Sequence, residues 1–189
     1  MKKQNGLTLI ELLIYIAILG IITALSVSGF QSLISHKKSD AYLEQLKAFI
    51  SVAQKIAIDR KQAVTICPSI NQNGCDTSNW SDGLIMFIDM NSDRKIESND
   101  ALIEVMPGVI KGDVLSYRGF GSQSVIKFEP NGFFSSSNGT FRYCSLINGV
   151  PDIQGIYISR TGRVRDAVDN NGRTTLNDDK ISSCQQLSN

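Results

Sequence analysis

From Leu7 to Phe30 the chain strings together 24 residues whose one charge is Glu11. As a helix rising about 1.5 Å per residue this run reaches roughly 36 Å, enough to cover a hydrocarbon core of about 30 Å. Residues 7–30 are therefore expected to form a transmembrane or filament-core helix. A cleaved secretory signal has a shorter apolar stretch, about 7 to 15 residues, followed by an A-x-A-like site; no such site follows here, so the segment reads as retained. Past Phe30 the pattern turns amphipathic. Leu43, Leu46, Ile50, Ala53 and Ala57 recur at spacings of three and four, flanked by Phe49 and Ile56, while Lys37, Lys38, Asp40, Glu44, Lys47, Lys55 and Asp59 take the other faces. Residues 31–60 thus predict the helical spine of a head, continuous with the first segment and about 80 Å long in all.

Beyond Arg60 the helical period gives way to short β-type runs: Ala63 to Ile66, Leu84 to Asp89, Ala101 to Met106, Val114 to Tyr117, Val125 to Phe128, Thr140 to Cys144 and Ile156 to Ser159. Turn signals stand between them at Asn131-Gly132, Asn138-Gly139 and Thr161-Gly162. Leu84 to Ile88 is apolar at every position, which predicts a central strand covered on both faces. The expected fold class is α+β: a long N-terminal helix packed on antiparallel sheet, in two sheets, with residues 61–189 forming the β-rich head.

Charge and composition narrow the chemistry. With 19 basic and 18 acidic residues the net charge is +1, so bulk charge attracts neither nucleic acid nor anionic lipid, and any such binding must be a local patch. The single histidine, His36, falls on the helix and reads as a solvated surface residue. No motif sets a nucleophile beside a base, so catalysis is not expected. Asp89-x-Asn91-x-Asp93, with Glu97 and Asp100 further on, has the opening of a calcium loop. Arg94, however, stands where an EF-hand needs glycine, and Asp100 replaces the bidentate glutamate. An Asx-rich turn is the simpler reading, and neither metal nor cofactor is expected. Trp80 reads as a packed strand-edge aromatic.

Glu11 is the anomaly. A carboxylate in lipid costs about 2.5 to 3.5 kcal/mol even on lenient insertion scales, so a partner must offset it. Lys2 and Lys3 precede the apolar run, and the positive-inside rule keeps Met1 to Gly6 cytoplasmic and sends the rest outward.

Lys2-Lys3-Gln4-Asn5-Gly6 followed by Leu7-Thr8-Leu9-Ile10-Glu11 closely resembles the class III signal of type IV pilins and type II secretion pseudopilins. The resemblance implies that residues 1–6 are a leader removed by a prepilin peptidase after Gly6, and that the new amine of Leu7 is methylated. It also implies that Glu11 pairs with an N-terminal amine, a neighbour's, during filament assembly. Leu7 stands where many relatives have Phe, and Ser28 where major pilins carry a kinking proline, which tilts the reading toward a minor component.

The head strengthens the resemblance. Phe49-x-x-x-Ala53-x-x-x-Ala57-x-x-Arg60, Val64-Thr65-Ile66-Cys67, Cys75, Trp80-x-x-Gly83, Phe87-x-Asp89-x-Asn91 and Ser159-x-x-Gly162-Arg163-Val164-Arg165 look like the head shared by minor pilins of the FimT/FimU family and GspH-like pseudopilins. Such a protein is expected to be a minor type IV pilin, with a minor pseudopilin of type II secretion as the alternative. It would sit in the bacterial inner membrane as a single span with a periplasmic head, then pass into the filament at the cell surface beside major and minor pilins.

Cys67, Cys75, Cys144 and Cys184 all fall in the exported portion, where an oxidising periplasm favours disulfides. Of the three possible pairings, Cys67 with Cys75 and Cys144 with Cys184 are preferred because each closes a local loop around a strand end. Arg163 and Arg165, pointing to one face if the chain stays extended, and Arg160 beside them suit phosphates. In the FimT branch a G-R-x-R motif of this kind is associated with DNA binding in natural transformation, which makes the double-stranded DNA backbone a candidate partner. The opposing reading is a structural hairpin whose arginines are paired by Asp166, Asp169, Asp178 or Asp179.

Overall fold

The computed structural model describes residues 8–71, 73–75, 79–119, 125–135, 138–147, 149–168 and 184, without the side chains of 24–33. One helix, α1, runs Leu9–Arg60. Eight strands follow among the described residues: β1 Ala63–Pro68, β2 Gly83–Asp89, β3 Ala101–Pro107, β4 Val114–Gly119, β5 Ile126–Phe128, β6 Asn138–Ile147, β7 Val150–Ser159 and β8 Val164–Asp166. They form two antiparallel four-stranded sheets, in the orders β3-β2-β1-β5 and β4-β6-β7-β8.

The chain divides into two compact units, Met1–Lys37 and Lys38–Asn189. In the first, the helix from Leu9 to Ile22 exposes apolar side chains at nearly every position, Leu9 at 78% and Ile21 at 63%. Among the described residues no helix is long and apolar enough to cross a membrane; the expected span over residues 7–30 falls partly outside them.

In the second unit the predicted stripe of α1 becomes the centre of the core. Leu46, Ile50, Ala53 and Ala57 are fully buried, and they join one cluster with Val64, Leu84, Met86 and Phe128 of the first sheet and with Phe141, Tyr143, Ile156 and Ile158 of the second. The helix thus supplies one apolar surface to both sheets, which is why small residues recur along it where strands approach closely. Trp80 lies in a 3-10 turn, Trp80–Asp82, rather than on a strand edge, and meets Phe141 edge-on with ring centroids 5.1 Å apart.

Every residue of β2 is buried, and the strand lies between β1 and β3 as its uniform apolarity predicts. Its second face is covered by a smaller cluster in which Ile85 and Phe87 pack with Cys67, Cys75 and Ile96. Cys67 is bonded to Cys75 and Cys144 to Cys184, the two local pairings.

Three expectations need correction. Asn138-Gly139 is not a turn but the start of β6, and Gly139 is glycine because a Cβ there would fall 2.2 Å from the Tyr117 hydroxyl. The β6 to β7 turn instead uses Gly149, at φ 79°, between the paired residues Ile147 and Val150. The run beginning at Ile156 is the second half of a longer strand, and β8 continues the sheet past Thr161-Gly162.

Candidate functional site

Two places carry the candidate chemistry, the start of α1 and the turn between β7 and β8. Gly6 and Leu7 lie outside the described residues. Glu11 occupies the first turn of α1 and forms a capping box with Thr8. The Thr8 backbone N–H and hydroxyl both donate to Glu11 Oε2 at 2.9 Å, and the Glu11 N–H donates to Thr8 Oγ1 at 3.4 Å. Two donors that a helix start leaves unmatched are satisfied reciprocally, and the carboxylate sits at the positive end of the helix dipole. The capping box therefore fixes the carboxylate at the first turn of α1. Thr8 was not singled out from sequence, although threonine three residues before a glutamate at the head of an apolar run is a readable capping signature.

The second place is built by Gly162. Its φ of 79° favours glycine, and a Cβ there would stand 2.1 Å from Gln54 Nε2 and 2.8 Å from the Gly132 carbonyl oxygen. Gln54 reaches from α1 and donates through Nε2 to both the Gly132 and the Thr161 carbonyls at 2.8 Å, fixing the two neighbouring turns. Gly162 N–H donates to Ser159 O at 2.8 Å and Ser159 N–H to Arg163 O at 3.0 Å, closing the hairpin.

On this support Arg160, Arg163 and Arg165 are all exposed. The Arg165 guanidinium lies 4.8 Å from the ring centroid of Tyr157, its cross-strand neighbour, a distance suited to cation–π attraction. Asp166, next to Arg165 in sequence, is engaged elsewhere: its Oδ1 pairs with Lys47 Nζ of α1 at 2.8 Å. Partial burial works against the Lys47 charge, but hydrogen bonds to Asp166 and Glu44, with the charges behind them, together raise its pKa above the ordinary lysine value. Among the described residues no ion pair reaches Arg160, Arg163 or Arg165. Asp169, Asp178 and Asp179 lie outside those residues. The structure thus brings the three predicted arginines onto one exposed hairpin.

In the acidic loop after β2 several side-chain oxygens accept from the loop's own backbone, while Asp89 Oδ1 is buried and meets no donor. Asp89 Oδ2 accepts from the Thr65 hydroxyl and the Arg94 N–H, Asn91 from Asp93 N–H, Asp93 from Lys95 N–H, and Asp100 from Met90 and Glu97 N–H. Among the described residues no group of three or more acidic, cysteine or histidine side chains could hold a metal ion. His36 is exposed on α1.

Residues 43–179, most of the chain, match the family described as Type II transport protein GspH. The chain belongs to that family. Residues 1–27 match the prokaryotic N-terminal methylation motif, so the family's head and the motif that precedes it occur in one chain. Its fold is similar to that of the Pseudomonas aeruginosa type IV minor pilin FimU. One crystal form of FimU gives a TM-score of 0.55 at 16% identity, covering 80% of this chain and 98% of that one. A second gives 0.50 at 18%, covering 77% and 98%. The minor pseudopilin EpsH of Vibrio cholerae aligns at 8% identity with a TM-score of 0.47, covering 69% and 96%. No curated protein matches the chain in sequence. The chain is thus a member of the GspH family that carries the N-terminal methylation motif and has the fold of a type IV minor pilin.

Proposed function

We propose that this chain is a minor type IV pilin of the FimT/FimU kind that incorporates into the pilus and supports its assembly. The observation that carries the reading is the helix from Leu9 to Ile22: apolar on all sides and exposed, interrupted by one carboxylate, Glu11. A helix greasy all round must be covered by lipid or by other helices, and a carboxylate held at its tip can change from one cover to the other by meeting an amine.

In this proposal residues 1–6 are a leader that a prepilin peptidase removes after Gly6, and the amine of Leu7 is methylated. Residues 7–30 form the inner-membrane span and later the filament core, residues 31–60 the spine, and residues 61–189 the periplasmic head that reaches the cell surface with the pilus. Arg160, Arg163 and Arg165 lie along the phosphate backbone of double-stranded DNA without reading sequence, as uptake in transformation requires. Their exposure and the engagement of Asp166 with Lys47 support that contact.

The second reading, a minor pseudopilin of type II secretion, is favoured by the description of the family itself. Deletion of the gene decides between them. Loss of twitching or transformation with enzyme secretion intact supports the pilus; the opposite phenotype assigns the chain to secretion. Complementation with Gly6→Leu should fail in either system, and normal complementation by that variant would overturn the assembly reading altogether.

A further inference from the structure

Residues 89–100 lead from the end of β2 to β3 and hold four carboxylates and two cations, a net charge of −2 in a chain close to neutral. Three side chains fold back on the loop in turn. Asp89 Oδ2 accepts from the Arg94 N–H at 3.0 Å, Asn91 Oδ1 from the Asp93 N–H at 3.2 Å, and Asp93 Oδ1 from the Lys95 N–H at 2.8 Å. Asp100 closes the loop, its two oxygens taking the Met90 N–H at 3.0 Å and the Glu97 N–H at 2.8 Å. Asn91 Nδ2 reaches Glu97 Oε2 at 3.3 Å, which brings Glu97 across to the Asn91 side. Ser92 and Arg94 stand at φ 62° and 68°. Arg94, whose place in the sequence argues against a cation loop, thus adopts the left-handed conformation for which such a loop uses glycine. Ile96 anchors the loop by packing against Cys67, Ile85 and Phe87.

Hydrogen bonding leaves one atom of this loop unexplained. Asp89 is 1% exposed, and its Oδ2 is satisfied twice, by the Arg94 N–H and by the Thr65 hydroxyl at 2.8 Å. Its Oδ1 is enclosed and meets no donor, and among the described residues no ion pair reaches the carboxylate. A buried carboxylate oxygen left bare is costly, and the partner such an atom lacks is a donor, a water or an ion. A water would satisfy the oxygen and leave the charge; a cation answers both. The bond to Arg94 turns this carboxylate into the loop, toward the segment that carries the oxygens of Asn91 and Asp93.

We infer that the β2–β3 loop binds one hard divalent cation, calcium, through Asp89 Oδ1, Asn91 Oδ1, Asp93 and the Lys95 carbonyl, with Glu97 or water completing the shell. All the donors are oxygens, as calcium takes. Asn91 Oδ1 keeps a second lone pair after accepting from Asp93, and Asp93 keeps its Oδ2. The set is mixed, so it does not depend on three acidic, cysteine or histidine side chains around one point, and among the described residues none are so grouped. Asp100 is a staple and not a ligand, because backbone N–H groups take both its oxygens. Few charged ligands place the site in the weak class of extracellular modules, with a dissociation constant of about 0.1 to 1 mM. Calcium prevails over magnesium because an irregular loop offers flexible oxygens, whereas magnesium keeps its waters and demands a near-ideal octahedron.

The experiment is calorimetric titration and urea unfolding of the full chain, purified in detergent and stripped with chelator. Calcium chloride is compared with magnesium chloride and with sodium chloride at equal ionic strength. The expected result is one calcium per chain and, at about 10 mM calcium, a folding equilibrium moved about 10-fold toward the native state, read as a higher urea midpoint by Trp80 fluorescence. Asp89→Asn should abolish binding, but Asp89 also holds Thr65 and Arg94, so the deciding variant is Asp93→Asn. That change keeps an oxygen for the Lys95 N–H, removes one charged ligand, and should weaken calcium binding about 10-fold while leaving the midpoint in chelator unmoved. Asp59→Asn, on the exposed side of α1, should bind calcium as the unaltered chain does. No calcium heat with an unmoved midpoint in the unaltered chain overturns the inference. So does an equal response to magnesium, or unchanged calcium binding in Asp93→Asn.

Discussion

The two ends of α1 are built of similar residues put to opposite uses. From Leu9 to Ile22 the leucines and isoleucines surround the helix and stay exposed within the chain; from Leu43 to Ala57 they are confined to one stripe and buried by two sheets. The difference is arrangement, not apolar content. A stripe can be covered by the same chain, because sheets approach from one side; a helix apolar all round needs partners on every side, and those must be lipid or other subunits. The head is therefore self-sufficient in its core, whereas the N-terminal segment is complete only in company.

The contrast can be broken by matched substitutions. Leu46→Ala should cost the head about 4 kcal/mol, because it empties a fully buried site. Leu12→Ala should leave head unfolding unchanged and lower the amount of subunit recovered in sheared filaments. Denaturant unfolding followed by tryptophan fluorescence reads the first effect, since Trp80 packs inside the head, and immunoblotting of the filament fraction reads the second. Equal loss of head stability from both would show that the two ends are one cooperative unit. Gly162→Ala should cost about 2 kcal/mol, through the positive φ and the approach of Gln54 and the Gly132 carbonyl, with the same unfolding readout. Thr8→Ala removes one half of the capping box and should cost the helix start about 1 kcal/mol, visible as faster amide exchange in the first turn and nowhere in the head.

The smallest effect near neutrality is electrostatic and belongs to the head alone. Burial raises the pKa values of Tyr42 and Tyr117 above the ordinary phenol range; burial, then the hydrogen bond to Asp113 and its charge, do the same to Tyr143. With native values raised, the unfolded chain releases its protons first as pH increases. The contribution to stability is full below about pH 10 and declines above it. Urea midpoints should hold steady from pH 7 to about 9.5 and then fall, while tyrosinate absorbance shows these three phenols ionising together with unfolding. Ionisation of all three with the fold intact would contradict their enclosure.

Much of this architecture was legible because it is periodic. The spacing of Leu43, Leu46, Ile50, Ala53 and Ala57 gave the helix face, and the unbroken apolarity of Leu84 to Ile88 gave a strand covered on both sides. β8 was hidden because Val164 to Asp166 is too short to show alternation, and its membership depends on pairing with β7. Asn138-Gly139 is misleading because a hairpin dipeptide and a glycine cleared for an aromatic ring look alike in one dimension. At the sites, the arginine hairpin could be read from its local spacing, but the pairing of Asp166 with Lys47 joins residues 119 positions apart.

Gln54 has a consequence for how variation in the head is felt. One primary amide grips the Gly132 carbonyl and the Thr161 carbonyl at once, so the two loops share a single pivot on the helix. An insertion or a bulky residue beside Asn131 would be transmitted through that pivot to the backbone beside Arg163, and changes in one loop should need matching changes in the other to keep the guanidiniums in place.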